Sequence, residues 1–320
     1  MKGITEQFID TGEVRLHYAA GPDNGPPLVL IPGQSMCWES YLRVLPALMR
    51  HFQVYALDIR GHGLSGRTPG DYNYRAIGRD MEFFLRNVVK RPAIISGNSS
   101  GGVIALWCAA NLPDRVIGVV PEDPPLFSSE WPRMRDGCWA YGFFKLVVDG
   151  LDGPRGRDLG YIFRNFEVPT AQGNRIIRIP NWLAWLLSWI IDRYEKRHPG
   201  APIDIGWLPM QLRVLIKSFS TFDPNFTRAF IDGSACASID HAAVLKAVRC
   251  PVLLLHADWF IQPGTGLLLG AMSDDDVRLT RELCPHADYR RIRSGHSIHI
   301  ERPRIFVEEL LDFKRSLRMN

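Results

Sequence analysis

Residues 93–110 read AIISGNSSGGVIALWCAA, and this stretch decides the fold and points to a chemistry. Its centre, Gly97-Asn98-Ser99-Ser100-Gly101, matches the pattern Gly-x-Ser-x-Gly. The apolar run Ala93–Ile95 is typical of a buried strand, and Gly101–Ala110 is typical of a helix. A strand that turns sharply into a helix exposes the central serine, and small neighbouring residues let the chain make that turn. The pattern predicts Ser99 as a nucleophile above the free N–H groups of a helix N-terminus.

Strand-like and helix-like segments alternate on both sides of this turn. Strands are predicted at residues 7–10, 14–19, 28–31, 54–57, 116–120, 252–255 and 289–292. Helices are predicted at residues 38–50, 74–89 and 303–317. This alternation is typical of an α/β fold, in which helices cover both faces of a mostly parallel sheet.

The alternation stops between residues 124 and 236. This segment is irregular, rich in proline and aromatic residues, and holds six of the nine tryptophans, namely Trp131, Trp139, Trp182, Trp185, Trp189 and Trp207. We therefore predict a core formed by residues 1–123 and 237–320, interrupted by a mainly helical insertion at 124–236.

Composition excludes several classes of protein. The chain has 320 residues, 46% of them hydrophobic, and a net charge of only +4, which predicts a globular protein that does not bind nucleic acid. The start, Met1–Glu6, has no apolar leader, and the longest strongly apolar run, Trp182–Ile191, is too short to span a bilayer. Six cysteines are scattered without a Cys-x-x-Cys pair. We expect a cytoplasmic protein with reduced thiols and no metal site.

A histidine follows the last predicted strand and can serve as the base. His296 lies in Ser294-Gly295-His296-Ser297, so it would overhang the carboxyl ends of the strands, where α/β sheets bind ligands. From there it would take the proton of Ser99 and return it to the leaving group. His299 is the nearby alternative.

Four stretches in this order resemble the α/β-hydrolase superfamily. They are Leu30–Gln34, Asp58–Ser65, Gly97–Gly101, and Gly295–His296 followed by Glu301–Pro303. The resemblance implies an eight-stranded, mostly parallel sheet, a cap inserted after the sixth strand, and a Ser–acid–His triad. The segment 124–236 falls where that cap belongs.

The acid of the triad departs from the usual family pattern. Most relatives place it just after the seventh strand, but here that position carries Phe260, which cannot orient an imidazole. Asp258 lies two residues earlier. Some haloalkane dehalogenases and the lactonases that open zearalenone instead place the acid after the sixth strand. Asp123 matches that position, 24 residues after Ser99. We predict Asp123 as the acid, with Asp258 and Glu122 as alternatives.

The oxyanion of an acyl-transfer reaction needs two N–H donors. In the family, one comes from the residue after the nucleophile, here Ser100, and the other from the loop after the third strand, here Gln34. Ser35 is an alternative to Gln34. Many relatives carry His-Gly where this chain has Pro32-Gly33, a change that spares a main-chain donor.

A second glycine motif is typical of a different class of protein. Residues 61–66, Gly-His-Gly-Leu-Ser-Gly, match the dinucleotide pattern Gly-x-Gly-x-x-Gly, and Asp80 and Glu82 stand at about the spacing of a ribose ligand. A dinucleotide site needs a helix that starts inside the motif, whereas Arg67–Asp71 is predicted as a loop. We expect no nicotinamide or other cofactor.

The serine nucleophile and the aromatic cap suggest the substrate. Ser99 favours acyl transfer to water, whereas an aspartate would indicate an epoxide hydrolase or dehalogenase. The cap tryptophans, with Phe127, Tyr141, Phe143 and Phe144, are candidates to line a pocket for an apolar, aromatic or polyketide-like substrate. The prediction is an ester or lactone hydrolase, with a zearalenone-type macrolactone as the named example. A C–C bond hydrolase with the same triad and a non-catalytic small-ligand receptor are the alternatives.

One helical face of the cap carries a stripe of tryptophans, which can face the pocket, the core or another copy of the chain. Trp182, Trp185 and Trp189 have the spacing of a single helix face. Their stripe is a candidate homo-oligomer contact, and it lacks the lysine-rich polar face of a membrane-surface helix.

Overall fold

The computed structural model describes residues 3–154, 156–169 and 176–317. Positions 1–2 and 318–320 of the predicted core, and 155 and 170–175 of the predicted insertion, lie outside the described residues. Twelve strands are described: β1 Thr5–Asp10, β2 Arg15–Ala20, β3 Pro27–Ile31, β4 Gln53–Asp58, β5 Ala93–Asn98, β6 Val116–Glu122, β7 Glu167–Pro169, β8 Ile176–Arg178, β9 Val252–His256, β10 Phe260–Ile261, β11 Leu268–Leu269 and β12 Ala287–Arg291.

Eight of these strands form one sheet, in the order β1-β2-β4-β3-β5-β6-β9-β12. The pairs β1–β2 and β2–β4 are antiparallel, and every other pair in the sheet is parallel. The order reverses at β3, which has β4 on one side and β5 on the other. Ligands of such sheets bind at this reversal, at the carboxyl ends of the strands. The loops after β3 and β5 are therefore the expected walls of a site.

The central strands are buried on both faces, as their continuous apolar sequence predicts. All five residues of β3 are buried. Val29 and Ile31 belong to a hydrophobic cluster on one face, and Leu28 and Leu30 belong to another on the opposite face. A strand held in this way fixes the position of the loop that follows it.

Thirteen α-helices are described. They are α1 Leu45–Leu48, α2 Tyr74–Phe84, α3 Ser100–Asn111, α4 Arg133–Gly137, α5 Trp139–Asp152, α6 Leu159–Asn165, α7 Asn181–Arg197, α8 Met210–Thr221, α9 Pro224–Ile231, α10 His241–Ala247, α11 Asp274–Leu283, α12 Ile298–Glu301 and α13 Pro303–Ser316. The helix predicted at 38–50 is instead a 3₁₀ helix, Trp38–Arg43, followed by α1. Pro46 lies in the first turn of α1, where a missing N–H is tolerated, so the two helices are separate.

The segment between β6 and α10 is mainly helical, as predicted. It contains α4–α9 and one short hairpin, β7–β8, which the sequence did not indicate. Its longest helix, α7, leaves Trp182, Trp185 and Trp189 exposed to solvent. Among the described residues, no helix is both long enough and apolar enough to cross a membrane.

Candidate active site

Ser99 lies on a strained turn between β5 and α3. Its backbone has φ 54° and ψ −124°, a conformation that non-glycine residues rarely adopt. A Cβ atom at Gly97 would lie 2.1 Å from the carbonyl oxygen of Gly101, and one at Gly101 would lie 2.4 Å from that of Ile31. Only glycine fits at these two positions, because the neighbouring atoms are main chain. The turn is thus held by β3 on one side and α3 on the other.

Asp123 and His296 form a hydrogen-bonded carboxylate–histidine pair at the candidate site. Asp123 Oδ2 lies 2.7 Å from His296 Nδ1, and the N–H of Ala257 donates to Asp123 Oδ1 at 3.1 Å. Asp123 is only 1% exposed and follows the last residue of β6 with a positive φ of 44°. Both carboxylate oxygens are therefore engaged, which fixes the orientation of the imidazole.

The contact with Asp123 determines how His296 can act. Since Asp123 accepts the proton on Nδ1, Nε2 of the neutral ring is left as the proton acceptor. Removal from bulk water lowers the pKa of His296, but the hydrogen bond and negative charge of Asp123 outweigh it, so the pKa is raised above the usual histidine value. The arrangement gives a strong base that becomes a stable imidazolium after it takes a proton.

The alternative acid after β9 lies elsewhere. Asp258 is an exposed residue whose carboxylate pairs with Arg291 at 3.4 Å. Phe260, at the usual family position, begins the short strand β10. The structure gives no contact between Asp258 and His296 among the described residues. Asp258 therefore does not orient the imidazole.

Glu122 and His299 form a second carboxylate–histidine pair. The backbone N–H and Nδ1 of His299 each lie 2.9 Å from Glu122 Oε1, and both residues are buried. The main-chain oxygen of Glu122 accepts the N–H of Ser99 at 2.8 Å. Neither the alternative acid Glu122 nor the alternative base His299 faces the cavity at Ser99. Together they support the residues that do.

The loop after β3 runs directly beside the nucleophile. A Cβ at Gly33 would lie 3.2 Å from the Cβ of Ser99 and 2.9 Å from Oδ1 of Asn98. Within the described residues, the structure gives no acceptor for the main-chain N–H of Gln34 or of Ser100. These two donors remain the candidates for the oxyanion hole.

The alternative oxyanion donor is already used. The N–H of Ser35 donates to Nε2 of His62 at 3.1 Å, and Nδ1 of His62 lies 3.1 Å from the carbonyl oxygen of Arg60. Burial lowers the pKa of His62 to about 4, so the ring stays neutral and keeps its acceptor at neutral pH. Ser35 therefore holds the loop rather than the substrate. The Gln34 side chain also anchors it, since Nε2 donates to Thr227 of α9 at 2.9 Å.

A cavity of about 280 Å³ opens onto Ser99 and His296. Its walls are mostly apolar and come from both the core and the cap. The large apolar side chains that line it are Met36, Met134, Trp139, Phe143, Phe144, Leu215, Phe219 and Phe230. A cavity with such walls has the size and apolar character that suit a small apolar molecule.

Only part of the aromatic set expected from the sequence lines this cavity. Trp139, Phe143 and Phe144 do, whereas Phe127 is buried against His241. The other candidates do not line it, and they are Trp131, Tyr141, Trp182, Trp185, Trp189 and Trp207. The sequence composition predicted an aromatic cap but not which of its rings line the cavity, because the direction of each ring depends on how the cap helices pack.

The dinucleotide-like motif at 61–66 has a structural role. No helix begins in it, and α2 begins only at Tyr74. Asp80, a candidate ribose ligand, instead binds the buried Arg60, with Oδ2 2.6 Å from Nε and Oδ1 2.8 Å from an Nη atom. Glu82 pairs with Arg86 on the surface. The described residues also contain no group of three or more His, Cys, Asp and Glu that could hold a metal ion.

Comparison with known proteins identifies the family of the fold. The family model described as the alpha/beta hydrolase fold matches residues 26–303. The chain belongs to the α/β-hydrolase fold family. Its eight-stranded sheet and mainly helical insertion after β6 match that fold.

Among relatives of this α/β hydrolase, the 30 kDa subunit of magnesium chelatase from Rhodobacter capsulatus is 32% identical over 31% of this chain and 36% of its own. A fluoroacetate dehalogenase from a Burkholderia species is 27% identical over 38% of this chain and 41% of its own. The chain thus spans less than half of each of these two. The enol-lactonase from Burkholderia xenovorans superimposes over 97% of this chain and 100% of its own, with a TM-score of 0.63 and 18% identity. At that identity the likeness shows the fold alone.

One residue of the site was not predicted from the sequence. Nδ2 of Asn98 donates to the carbonyl oxygen of His296 at 3.0 Å, which ties the nucleophile turn to the loop that carries the base. The motif allows any residue before the serine, so it carried no signal for this role. The wall residues Met36, Met134, Leu215, Phe219 and Phe230 were also missed, because nothing in their local sequence distinguishes a pocket wall from a core.

Proposed function

We propose that this α/β hydrolase cleaves a carboxylic ester or lactone of an apolar substrate through an acyl-enzyme at Ser99. The 2.7 Å contact between Asp123 and His296, beside a cavity that both Ser99 and His296 line, carries the proposal. This pairing supplies what a serine nucleophile needs, namely a base whose orientation and charge are controlled.

In the proposed acyl-transfer reaction, each group of the site has one task. His296 Nε2 takes the Ser99 proton as Oγ attacks the substrate carbonyl, and the N–H groups of Gln34 and Ser100 stabilise the oxyanion. The imidazolium, stabilised by Asp123, then protonates the leaving alcohol. Water repeats the sequence on the acyl-enzyme, and His296 returns the proton to Ser99.

The nucleophile separates this proposal from other reactions of the family. A dehalogenase or epoxide hydrolase forms an alkyl ester on a carboxylate nucleophile, whereas the hydroxyl nucleophile of a serine favours acyl transfer. The apolar walls favour an uncharged aromatic or polyketide-like ester, and a zearalenone-type macrolactone is the specific substrate we propose to test first.

The first experiment compares wild type with Ser99→Ala on p-nitrophenyl butyrate, an aryl lactone and zearalenone. We expect hydrolysis by wild type and at least about a 10³-fold loss of kcat in the variant. Mass spectrometry of wild type quenched during turnover should show the acyl group on the peptide that carries Ser99. If Ser99→Ala hydrolyses the esters as fast as wild type, the proposal is wrong.

The same panel separates the two alternatives. A C–C bond hydrolase would turn over a vinylogous 1,5-diketone faster than any ester in the panel. A receptor would bind zearalenone with equal affinity in wild type and Ser99→Ala and release no product from either.

A further inference from the structure

A second cavity of about 190 Å³ lies at the junction of the core and the cap, outside the site described so far. It is lined mainly by the 3₁₀ helix Trp38–Arg43 of the core and by α8 of the cap. Its apolar walls include Leu42, Met210 and Val214. No step proposed for Ser99 uses it.

The two cavities have walls in common. Met36 and Leu215 line both the catalytic cavity and the second one. Both are apolar, partly buried side chains, one from the loop after β3 and one from α8. The two cavities are therefore neighbours, and a substrate that extends from the reacting centre past these two residues would meet the second cavity.

One polar group in this second cavity has no partner. Ser40 lines it and is only 5% exposed, and its Oγ has no hydrogen bond within the described residues. A buried hydroxyl without a partner costs free energy that a ligand atom can restore. A hydroxyl both donates and accepts, so it suits an alcohol or a carbonyl oxygen.

The charged groups nearby already have partners. Glu39 pairs with Lys217, and Arg43 donates to the carbonyl oxygen of Ile300 at 2.5 Å. A charged ligand end would displace these contacts. An uncharged end leaves them in place.

We infer that the second cavity is a substrate subsite, which takes an uncharged apolar arm whose far end carries a hydroxyl or carbonyl oxygen that binds Ser40. This inference rests on the proposed function, because the arm belongs to the ester or lactone that Ser99 attacks. With this subsite, the enzyme accepts a longer substrate than the catalytic cavity alone can hold, and it prefers one with an oxygen at the distal end.

Chain-length profiles of kcat/KM test the apolar part. For p-nitrophenyl esters from butyrate to dodecanoate, wild type should gain up to about fourfold for each methylene that enters the subsite. Leu42→Trp should fill the subsite and lose about 15-fold on the longer esters relative to butyrate, the value of two methylenes. The matched control is Leu279→Trp on the exposed face of α11, which should keep the wild-type profile. A Leu42→Trp profile that still rises like wild type overturns the subsite.

A second variant tests the polar part and does not depend on how well Leu42→Trp folds. Wild type should prefer p-nitrophenyl ω-hydroxy esters over the parent esters of equal length by roughly 3- to 10-fold, the worth of one hydrogen bond. Ser40→Ala should abolish this preference. An unchanged preference in Ser40→Ala, or none in wild type, contradicts the role of Ser40.

Binding separates failure of the subsite from failure of the proposed function. Calorimetry with octan-1-ol and octane-1,8-diol needs no turnover. If no ester is hydrolysed but both alcohols bind, and Leu42→Trp weakens both while Ser40→Ala weakens only the diol, the proposed function fails and the subsite stands. If esters are hydrolysed but neither variant changes binding or chain-length preference, the subsite alone fails.

Discussion

Glu122 and Asp123 are adjacent in the chain and bind two different histidines. Asp123 holds His296 at 2.7 Å, while Glu122 holds His299 at 2.9 Å. Asp123 follows the last residue of β6 with a positive φ of 44°, and its side chain meets His296, which lines the cavity. Glu122, still in the strand, points into the core and also accepts the N–H of Ser99 through its main chain. These two neighbouring residues thus hold His296 and support the turn that carries Ser99.

Asp123→Asn should lower kcat by about 10⁴-fold, since an amide cannot hold the imidazole in the tautomer that accepts a proton at Nε2. Asp258→Asn should cost less than about threefold, because its carboxylate pairs with Arg291 on the surface. Steady-state kinetics of the two variants on one ester checks this. The reverse ranking would restore Asp258 as the acid.

Glu122→Gln should shift the pH profile of kcat/KM. The reaction needs neutral His296, so activity falls as pH drops through its pKa, which Asp123 and, more weakly, the charge of Glu122 hold above the usual value. Loss of the Glu122 charge should move this acidic limb to lower pH and should also destabilise the fold by about 3 kcal/mol, because a buried pair is broken.

The control for this shift is Glu282→Gln, an exposed carboxylate on α11 that pairs with Arg278. Its acidic limb should coincide with that of wild type. A Glu122→Gln enzyme that is less stable but keeps the wild-type limb would show that Glu122 acts on the fold alone.

Gly101→Ala should disrupt the nucleophile turn, whereas Gly142→Ala should not. The new Cβ at position 101 would lie 2.4 Å from a carbonyl oxygen of the buried strand β3, which cannot move away. We expect a loss of about 2–3 kcal/mol in the free energy of unfolding and a large loss of activity. Gly142 lies in α5 with nothing within 4 Å of its Cβ position, so alanine should stabilise by about 0.5–1 kcal/mol. Denaturant unfolding of both variants measures the difference.

Local sequence patterns predicted the sheet of this protein but not the side chains that line its cavities. All eight strands of the sheet were predicted, and the central strands β3, β4, β5, β6 and β9 were recognisable because buried parallel strands have continuous apolar sequences. The predictions of Ser99 and His296 follow from their places after strand ends. The position of Asp123 required the family resemblance together with the misfit of Phe260. Pocket walls such as Phe219 and the contact between Gln34 and Thr227 depend on cap packing across about 190 residues, which no local pattern encodes.

His62 should make the protein less stable in mild acid. Its pKa is about 4 in the folded state, because the ring is buried, against about 6.5 when unfolded. A lowered pKa means that the unfolded chain binds the proton first, so the contribution is complete above about pH 6.5 and is lost as pH falls toward 4. The full difference in the free energy of unfolding amounts to about 3 kcal/mol.

His62→Gln keeps an acceptor for the N–H of Ser35 but does not titrate, so its unfolding free energy should change less between pH 7 and 4.5 than that of wild type. Urea unfolding at both pH values measures this, with His286→Gln, an exposed histidine, as the control that should keep the wild-type dependence. Equal pH dependence in wild type and His62→Gln would mean that His62 is not the buried neutral ring that holds the oxyanion loop.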